Sequence, residues 1–198
     1  MSSRTFVILV SFLSLLLVGS VGAGIYVWMD RTGANSESLI GGPYELVDQD
    51  GKTVTQDSYP GQWKLVYFGY TFCPDVCPTS LSVMTEALDG MGADADKIKP
   101  IFVSVDPERD TVEQLKAYSE HFHPSFAMLT GTKEQVRKAA NGYRIYYAKA
   151  EDDSSSEYLV DHSSITYLMR PTGEFAVHFS HGVSAEVMRV GLLRALAE

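Results

Sequence analysis

Residues 65–78 read LVYFGYTFCPDVCP, and this stretch decides the fold because a strand, a turn and a helix start follow one another in it. The apolar run at 65–68 has no polar alternation, which is typical of a central strand covered on both faces. Pro78 fits the first turn of a helix, where its missing N–H costs nothing. Cys73 and Cys77 therefore lie between the end of a central strand and the beginning of a helix.

The chain beyond this stretch alternates between strand and helix patterns. Apolar residues at helical spacing follow the cysteines, and Asp110 with Glu113 resembles a capping box that opens a second helix. Strands that alternate with helices, closed by a hairpin and a last helix, predict an α/β protein with a thioredoxin-like sandwich. In chain order, the other predicted strands and helices lie at 44–47, 53–55, 101–105, 126–129, 133–141, 165–169 and 174–179, before a C-terminal helix.

An uncharged apolar segment precedes this domain. Residues 5–29 contain no charged side chain, and at about 1.5 Å per residue they can cross a hydrocarbon core about 30 Å thick. A cleaved signal peptide is the alternative, but its apolar stretch is shorter, about 7–15 residues. We therefore expect a cytoplasmic N-terminus at 1–4, a transmembrane anchor at 5–29, a linker at 30–42 and one domain at 43–198.

The charge balance argues against one functional class, the nucleic-acid-binding proteins. The 198-residue chain has 16 Lys and Arg against 25 Asp and Glu, which gives a net charge of −9. A nucleic-acid-binding protein needs a cationic face toward the phosphates, so we expect no nucleic-acid partner. The polar and acidic segment EDDSSSE at 151–157 is expected to be a solvent loop.

Cys73 and Cys77 are the only cysteines in the sequence. The helix N-terminus favours a thiolate at Cys77, because free N–H groups and the helix dipole stabilise negative charge. Two thiolates are too few for a structural zinc site, which takes four ligands, whereas a thiolate pair with one imidazole suits copper(I). A structural disulfide is a weak alternative, because it would close too short a loop to gain much stability.

Five histidines could supply the imidazole. His162 stands just before the predicted strand at 165–169, in the loop that abuts the active-site turn of a thioredoxin-like fold. Placement alone leaves His162 open to a ligand role and to an ordinary surface role, since histidine is common in both. The other four lie at a helix end or beside the last strand, where a surface position accounts for them: His121, His123, His178 and His181.

Three segments, taken in order, resemble the Sco/SenC family of copper proteins, which assist the assembly of cytochrome oxidase. They are YFGYTFCPDVCP at 67–78, SVDPERDT at 104–111 and VDHS at 160–163. The resemblance extends from about Gly41 to the C-terminus and implies a thioredoxin-like fold. We interpret the segment at 106–110 structurally, as a turn from strand to helix with a cap.

The resemblance also implies a ligand set. The family's copper ligands match Cys73, Cys77 and His162, which would bind copper(I) or copper(II). Asp75 and Asp161 are candidates for orienting the imidazole, as carboxylates do in other metal sites. Turn formation and helix capping also account for both of these residues.

The implied function is delivery of copper to the CuA centre of cytochrome c oxidase subunit II, or preparation of that centre by reducing its cysteines. Other expected partners are a periplasmic copper chaperone or a thioredoxin-like reductant. The alternative function is a dedicated thiol–disulfide oxidoreductase with Cys73 and Cys77 as its redox pair. The C-x-x-x-C spacing differs from the usual C-x-x-C motif and weighs against ordinary thioredoxin activity. The expected location is the bacterial inner membrane, with a single span and the domain in the periplasm.

Overall fold

Nine strands and four α-helices make up the part of the chain that the computed structural model describes, residues 40–150 and 158–197. The strands are β1 (Glu45–Asp48), β2 (Thr53–Thr55), β3 (Trp63–Gly69), β4 (Ile98–Ser104), β5 (Ala127–Thr130), β6 (Tyr147–Lys149), β7 (Val160–His162), β8 (Ile165–Met169) and β9 (Phe175–Ser180). The helices are α1 (Val76–Asp89), α2 (Val112–Ser119), α3 (Lys133–Gly142) and α4 (Ala185–Leu196), with a 3₁₀ helix at Gly92–Lys97.

The predicted anchor at 5–29 and the predicted loop at 151–157 lie outside the described residues. Among residues 40–150 and 158–197, no helix is both long enough and apolar enough to cross a membrane.

Seven strands form one mixed sheet in the order β2-β1-β5-β4-β3-β8-β9. Strands β3, β4 and β5 pair in parallel at the centre of the sheet. The hairpin β1–β2 pairs antiparallel with β5 on one side, and the hairpin β8–β9 pairs antiparallel with β3 on the other. Strands β6 and β7 form a separate two-stranded sheet. The α/β, thioredoxin-like prediction is confirmed, with shifts of a few residues at the ends of the elements.

The centre of the core is β3, as its apolar sequence predicts. Every residue of this strand except Trp63 is buried, because β4 and β8 cover its edges and helices cover its faces. Tyr67 and Gly69 share the face toward α1, whereas Phe68 lies on the other face against Tyr143. The strand ends at Gly69 and α1 begins at Val76, so the turn between them carries Cys73 at the carboxyl edge of the parallel strands.

Helix α2 begins differently from the prediction. Its N-cap is Thr111, whose hydroxyl accepts a hydrogen bond from a backbone N–H of the first turn. Asp110 is fully buried, and it accepts hydrogen bonds from the N–H and hydroxyl of Thr71 and from the hydroxyl of Ser104, at 3.0, 2.7 and 2.6 Å. The prediction of a capping box at Asp110 was therefore wrong, because the hydrogen-bond partners of the Asp110 carboxylate come from distant parts of the chain. Asp110 ties the cysteine turn to the end of β4.

Candidate metal centre

Two free thiols lie where β3 passes into α1. Cys73, in the turn, is 9% exposed, and Cys77, in the first turn of α1, is completely buried. The backbone N–H of Cys77 donates to the Sγ of Cys73 at 3.4 Å. The N–H groups at the start of α1 therefore point at the sulfur of Cys73.

The two thiols differ in acidity. The pKa of Cys73 is lowered to about 3, because its sulfur accepts hydrogen bonds from the thiol of Cys77, from His162 and from backbone N–H groups. The pKa of Cys77 is raised, because its thiol donates to Cys73 and because it is buried. The expectation of a thiolate at Cys77 was wrong for the metal-free protein. Helix α1 already begins at Val76, so its free N–H groups serve the preceding sulfur.

His162 closes the site from a second element, the two-stranded sheet. It is the last residue of β7, and its Nε2 lies 3.2 Å from the Sγ of Cys77. Its Nδ1 lies 3.2 Å from the carbonyl of Ser163, which can only accept, so Nδ1 donates to this carbonyl and Nε2 faces the sulfurs. The rings of Tyr67 and Tyr70 meet the imidazole edge-on, at centroid distances of 6.1 and 5.9 Å.

Three ligand atoms thus converge, from Cys73, Cys77 and His162, all within 4.8 Å of one another. Across residues 40–150 and 158–197, no other group of three metal-binding side chains does so. Two sulfurs and one imidazole are soft donors that suit copper(I), and they lack the fourth ligand of a structural zinc site. A groove of about 230 Å³ lies beside the site. Cys73 and His162 line this groove, whereas Cys77 does not.

The two candidate orienting carboxylates lie on the surface. Asp75 is exposed and accepts a hydrogen bond from the hydroxyl of Thr79, one turn further along α1. Asp161 is exposed within β7. In the structure, the hydrogen-bond partner of the imidazole Nδ1 is the Ser163 carbonyl, and an orienting role for either carboxylate stays a prediction. The remaining histidines lie outside the cluster.

Two residues that pack around the site were not predicted from the sequence, Gly69 and Tyr70. A Cβ on Gly69 would lie 2.7 Å from the Sγ of Cys77, so only glycine leaves room for this sulfur. The hydroxyl of Tyr70 accepts a hydrogen bond from the N–H of Val160 at 3.2 Å, which links the cysteine turn to β7. The alternation of side chains along a strand places Tyr67 and Gly69 on one face, and it was the available signal for the contact between Gly69 and Cys77. No local pattern in the sequence indicates the contact between Tyr70 and Val160.

A further set of contacts, which we call the hairpin clasp, joins the β6–β7 hairpin to the loop after β4. The hydroxyl of Tyr158 donates to Asp106 at 2.7 Å, and the guanidinium of Arg109 lies 3.8 Å from the centre of the Tyr158 ring. Lys149 of β6 pairs with Glu108 at 2.7 Å. The clasp consists of these five residues, and it holds the hairpin that positions His162.

The fold and the site together define a thioredoxin-like protein with two cysteines and a histidine arranged for a soft metal ion. The family model described as SCO1/SenC matches residues 32–197. The chain belongs to the SCO1/SenC family, as the three sequence segments predicted.

Relatives and solved structures are consistent with this membership. Protein SCO1 homolog 1, mitochondrial, of Arabidopsis thaliana is 35% identical over 208 residues, which is 96% of this chain, and the chain spans 62% of that relative. The structure of Arabidopsis thaliana ScoI with copper bound has a TM-score of 0.75 at 40% identity and covers 80% of this chain and 98% of its own. Bradyrhizobium japonicum ScoI with copper bound has a TM-score of 0.73 at 44% identity and covers 79% and 99%.

A more distant structure shares the fold alone. BsSco, described as a member of the Sco family of cytochrome c oxidase assembly proteins, is 24% identical with a TM-score of 0.62. It covers 80% of this chain and 94% of its own.

Proposed function

We propose that this protein is a copper-binding assembly factor that delivers copper to, or prepares, the CuA centre of cytochrome c oxidase subunit II. The observation that carries the proposal is the convergence of Cys73, Cys77 and His162 within 4.8 Å. Two family members of known structure hold copper, and BsSco is described as belonging to a family of cytochrome c oxidase assembly proteins.

Copper is the cargo in this proposal, and the three side chains differ in how they would hold it. Cys73 is already favoured as a thiolate, so it offers the first anionic donor. Cys77 loses its proton as the metal binds, because only a thiolate is a strong ligand. The groove reaches the site on the side of Cys73 and His162, so a ligand from the recipient approaches copper from that side.

The surroundings of the groove support a protein recipient. Phe72, adjacent to Cys73, is 40% exposed, and Leu159, which lines the groove, is 43% exposed. Tyr146, 65% exposed, is hydrogen-bonded to Ser163 beside the imidazole. Exposed apolar side chains around a functional pocket favour contact with another protein.

Copper binding and transfer test the proposal directly. The reduced protein should bind one copper(I) per chain, and X-ray absorption should find two sulfur neighbours and one imidazole. The loaded protein should then metallate a reduced CuA domain, whereas a Cys73→Ser variant should not. A stoichiometric complex without sulfur ligation, or loaded protein that leaves the CuA domain empty, would contradict it.

The proposal includes attachment to the bacterial inner membrane through residues 5–29, with the domain at 43–198 in the periplasm. The apolar composition of the segment supports this location. A protease added to spheroplasts should then digest the domain while the inner membrane is intact. Protection of the domain under these conditions would reject the orientation.

A thiol–disulfide oxidoreductase is the second candidate function. The specific observation in its favour is a pair of free thiols whose sulfurs lie within 4.8 Å of each other. The pKa of Cys73 is lowered to about 3, which provides an attacking thiolate beside a second thiol. The copper-free reduced protein should then reduce the disulfide of an oxidised CuA domain much faster than free glutathione does. A rate equal to that of glutathione would reject this activity and leave the metal-transfer role.

A further inference from the structure

Tyr67 carries a buried hydroxyl that makes no hydrogen bond within the described part of the chain. The residue is 0% exposed. Its ring atom Cε1, next to the carbon that bears the hydroxyl, lies 3.1 Å from the position that a Cβ on Gly69 would take. The Sγ of Cys77 lies 2.7 Å from the same position. The hydroxyl end of the ring is therefore beside the sulfur.

A buried hydroxyl without a partner is unfavourable, and folded proteins rarely retain one without a reason. The side chains of Ser80, Cys77 and Ser164 are near enough to affect the pKa of the phenol, which burial raises above its ordinary value. Among these neighbours, Cys77 is the one whose charge changes when a metal binds. In the metal-free protein the Sγ of Cys77 lies 3.2 Å from the Nε2 of His162, and a neutral thiol is a weak acceptor.

We propose that the hydroxyl of Tyr67 donates a hydrogen bond to the sulfur of Cys77 once Cys77 is a copper-bound thiolate. The inference rests on the proposed copper-binding function and makes Tyr67 a positioning residue for that site. A hydrogen bond to an anion is about twice as strong as one between neutral groups. Such a bond withdraws electron density from the sulfur, and hydrogen bonding at a cysteine ligand tunes the potential of a copper site. Tyr67 therefore favours copper(I) over copper(II).

The test is the Tyr67→Phe substitution in the full-length protein, because phenylalanine keeps the ring and removes only the hydroxyl. In the copper(II) form, the sulfur-to-copper charge-transfer band should move to longer wavelength, because the sulfur becomes more electron-rich. The copper(II)/copper(I) reduction potential should fall. The affinity for copper(I), measured by competition titration, should weaken by about 10-fold, the lower end of the range for residues that support a metal ligand.

The matched control is Tyr118→Phe. Tyr118 also has a buried hydroxyl without a hydrogen bond, but it lies on α2, and only its charge interacts with Cys77. This variant should keep the band, the potential and the affinity of the wild type. Copper-free Tyr67→Phe should unfold at the same temperature as the wild type or higher, because the deleted hydroxyl is unpaired there.

The outcomes separate this inference from the proposed function. If wild type and Tyr67→Phe bind copper with the same band, potential and affinity, the hydrogen bond does not exist and the copper-binding function stands. The free energy of unfolding of copper-free Tyr67→Phe can be compared with its free energy of copper binding. If substitution lowers both by the same amount, the hydroxyl has a purely structural role and the inference is wrong. If the wild type binds no copper, the proposed function fails and the inference fails with it.

Discussion

The cysteine turn and the β6–β7 hairpin place side chains at one candidate metal centre but are held in place by different means. The cysteine turn joins the central strand to α1, and hydrogen bonds to the buried Asp110 fix it. The hairpin lies outside the main sheet, and it is positioned by Tyr70, which contacts Val160, and by the hairpin clasp. The thiols are therefore placed by the central strand and α1, whereas the imidazole is placed by the contacts of a peripheral hairpin, in which Val160 is buried. Substitutions should separate the two contributions.

Removal of ligands should give the largest effects. Cys77→Ser should weaken copper(I) binding by more than the ~100-fold that loss of a supporting residue can cost, because one thiolate of two is lost. His162→Ala should weaken it severely but less, since both soft thiolates remain. Competition titration of each variant measures this order, with thermal unfolding of the copper-free proteins as the control. Near-native affinity in His162→Ala would remove the imidazole from the ligand set.

The pH dependence of alkylation tests the cysteine turn without any metal. A pKa of about 3 at Cys73 means that its thiolate persists as the pH falls from 7 to 5, so its rate with iodoacetamide should change little. An ordinary thiol would lose about 100-fold over these two units, because its thiolate fraction falls tenfold per unit below its pKa. Mass spectrometry of digests identifies the modified cysteine.

The control for this measurement is Cys73→Ser, in which the buried Cys77 should stay unreactive over the same pH range. A Cys73 rate that rises tenfold per pH unit would show an ordinary thiol and contradict the hydrogen-bonded arrangement of the two sulfurs.

Gly69→Ala should disturb the packing between the end of β3 and Cys77, which places the thiols. The new Cβ would lie 2.7 Å from the Sγ of Cys77 and 3.0 Å from Phe102, and overpacking of this kind typically costs about 1–3 kcal/mol. We expect a lower free energy of unfolding together with weaker copper binding, measured by denaturant titration and metal competition.

Gly90→Ala is the matched control for this substitution. Its Cβ would be within 3.0 Å only of the flexible side chain of Arg189, at 2.8 Å, at the end of α1. This variant should therefore keep its copper affinity. Equal losses in both variants would mean that the contact with Cys77 is not the cause.

Tyr158→Phe should give the smallest effect and act on the hairpin side alone. The variant loses the 2.7 Å hydrogen bond to Asp106, which corresponds to about 1 kcal/mol and a loss of copper affinity of about fivefold. In a His162→Ala background the same substitution should have no effect on affinity, because the hairpin no longer supplies a ligand. Tyr146→Phe, on an exposed tyrosine just before the same hairpin, is the control.

Local patterns in the sequence predicted the elements that place the thiols. The apolar run at 65–68 became the buried β3, and the strands predicted at 44–47 and 53–55 formed the β1–β2 hairpin, with a positive φ at Gly51 in its turn. Such elements are predictable because their cause, burial periodicity or turn conformation, lies within a few residues. His162 was left open by placement and chosen through the family resemblance.

Long-range contacts were not predictable in the same way. Asp110 was interpreted as a cap because its partners Thr71 and Ser104 are recognisable only after folding. The sequence predicted that Cys77 is the more acidic thiol, whereas the structure favours a thiolate at Cys73. The difference between the two pKa values depends on the single residue at which α1 starts. Helix ends are commonly uncertain by one or two residues, and here that margin decides which sulfur receives the N–H groups.

The buried carboxylate of Asp110 has a consequence for protein engineering. Its hydrogen bonds reach the turn before Cys73 and the end of β4, so the shape of that turn is partly encoded outside the cysteine motif. Transplanting the motif alone into another scaffold of this fold would leave the turn without its anchor. A working graft would carry Thr71, Ser104 and Asp110 as a unit, since any one of them alone would leave a buried polar group unsatisfied.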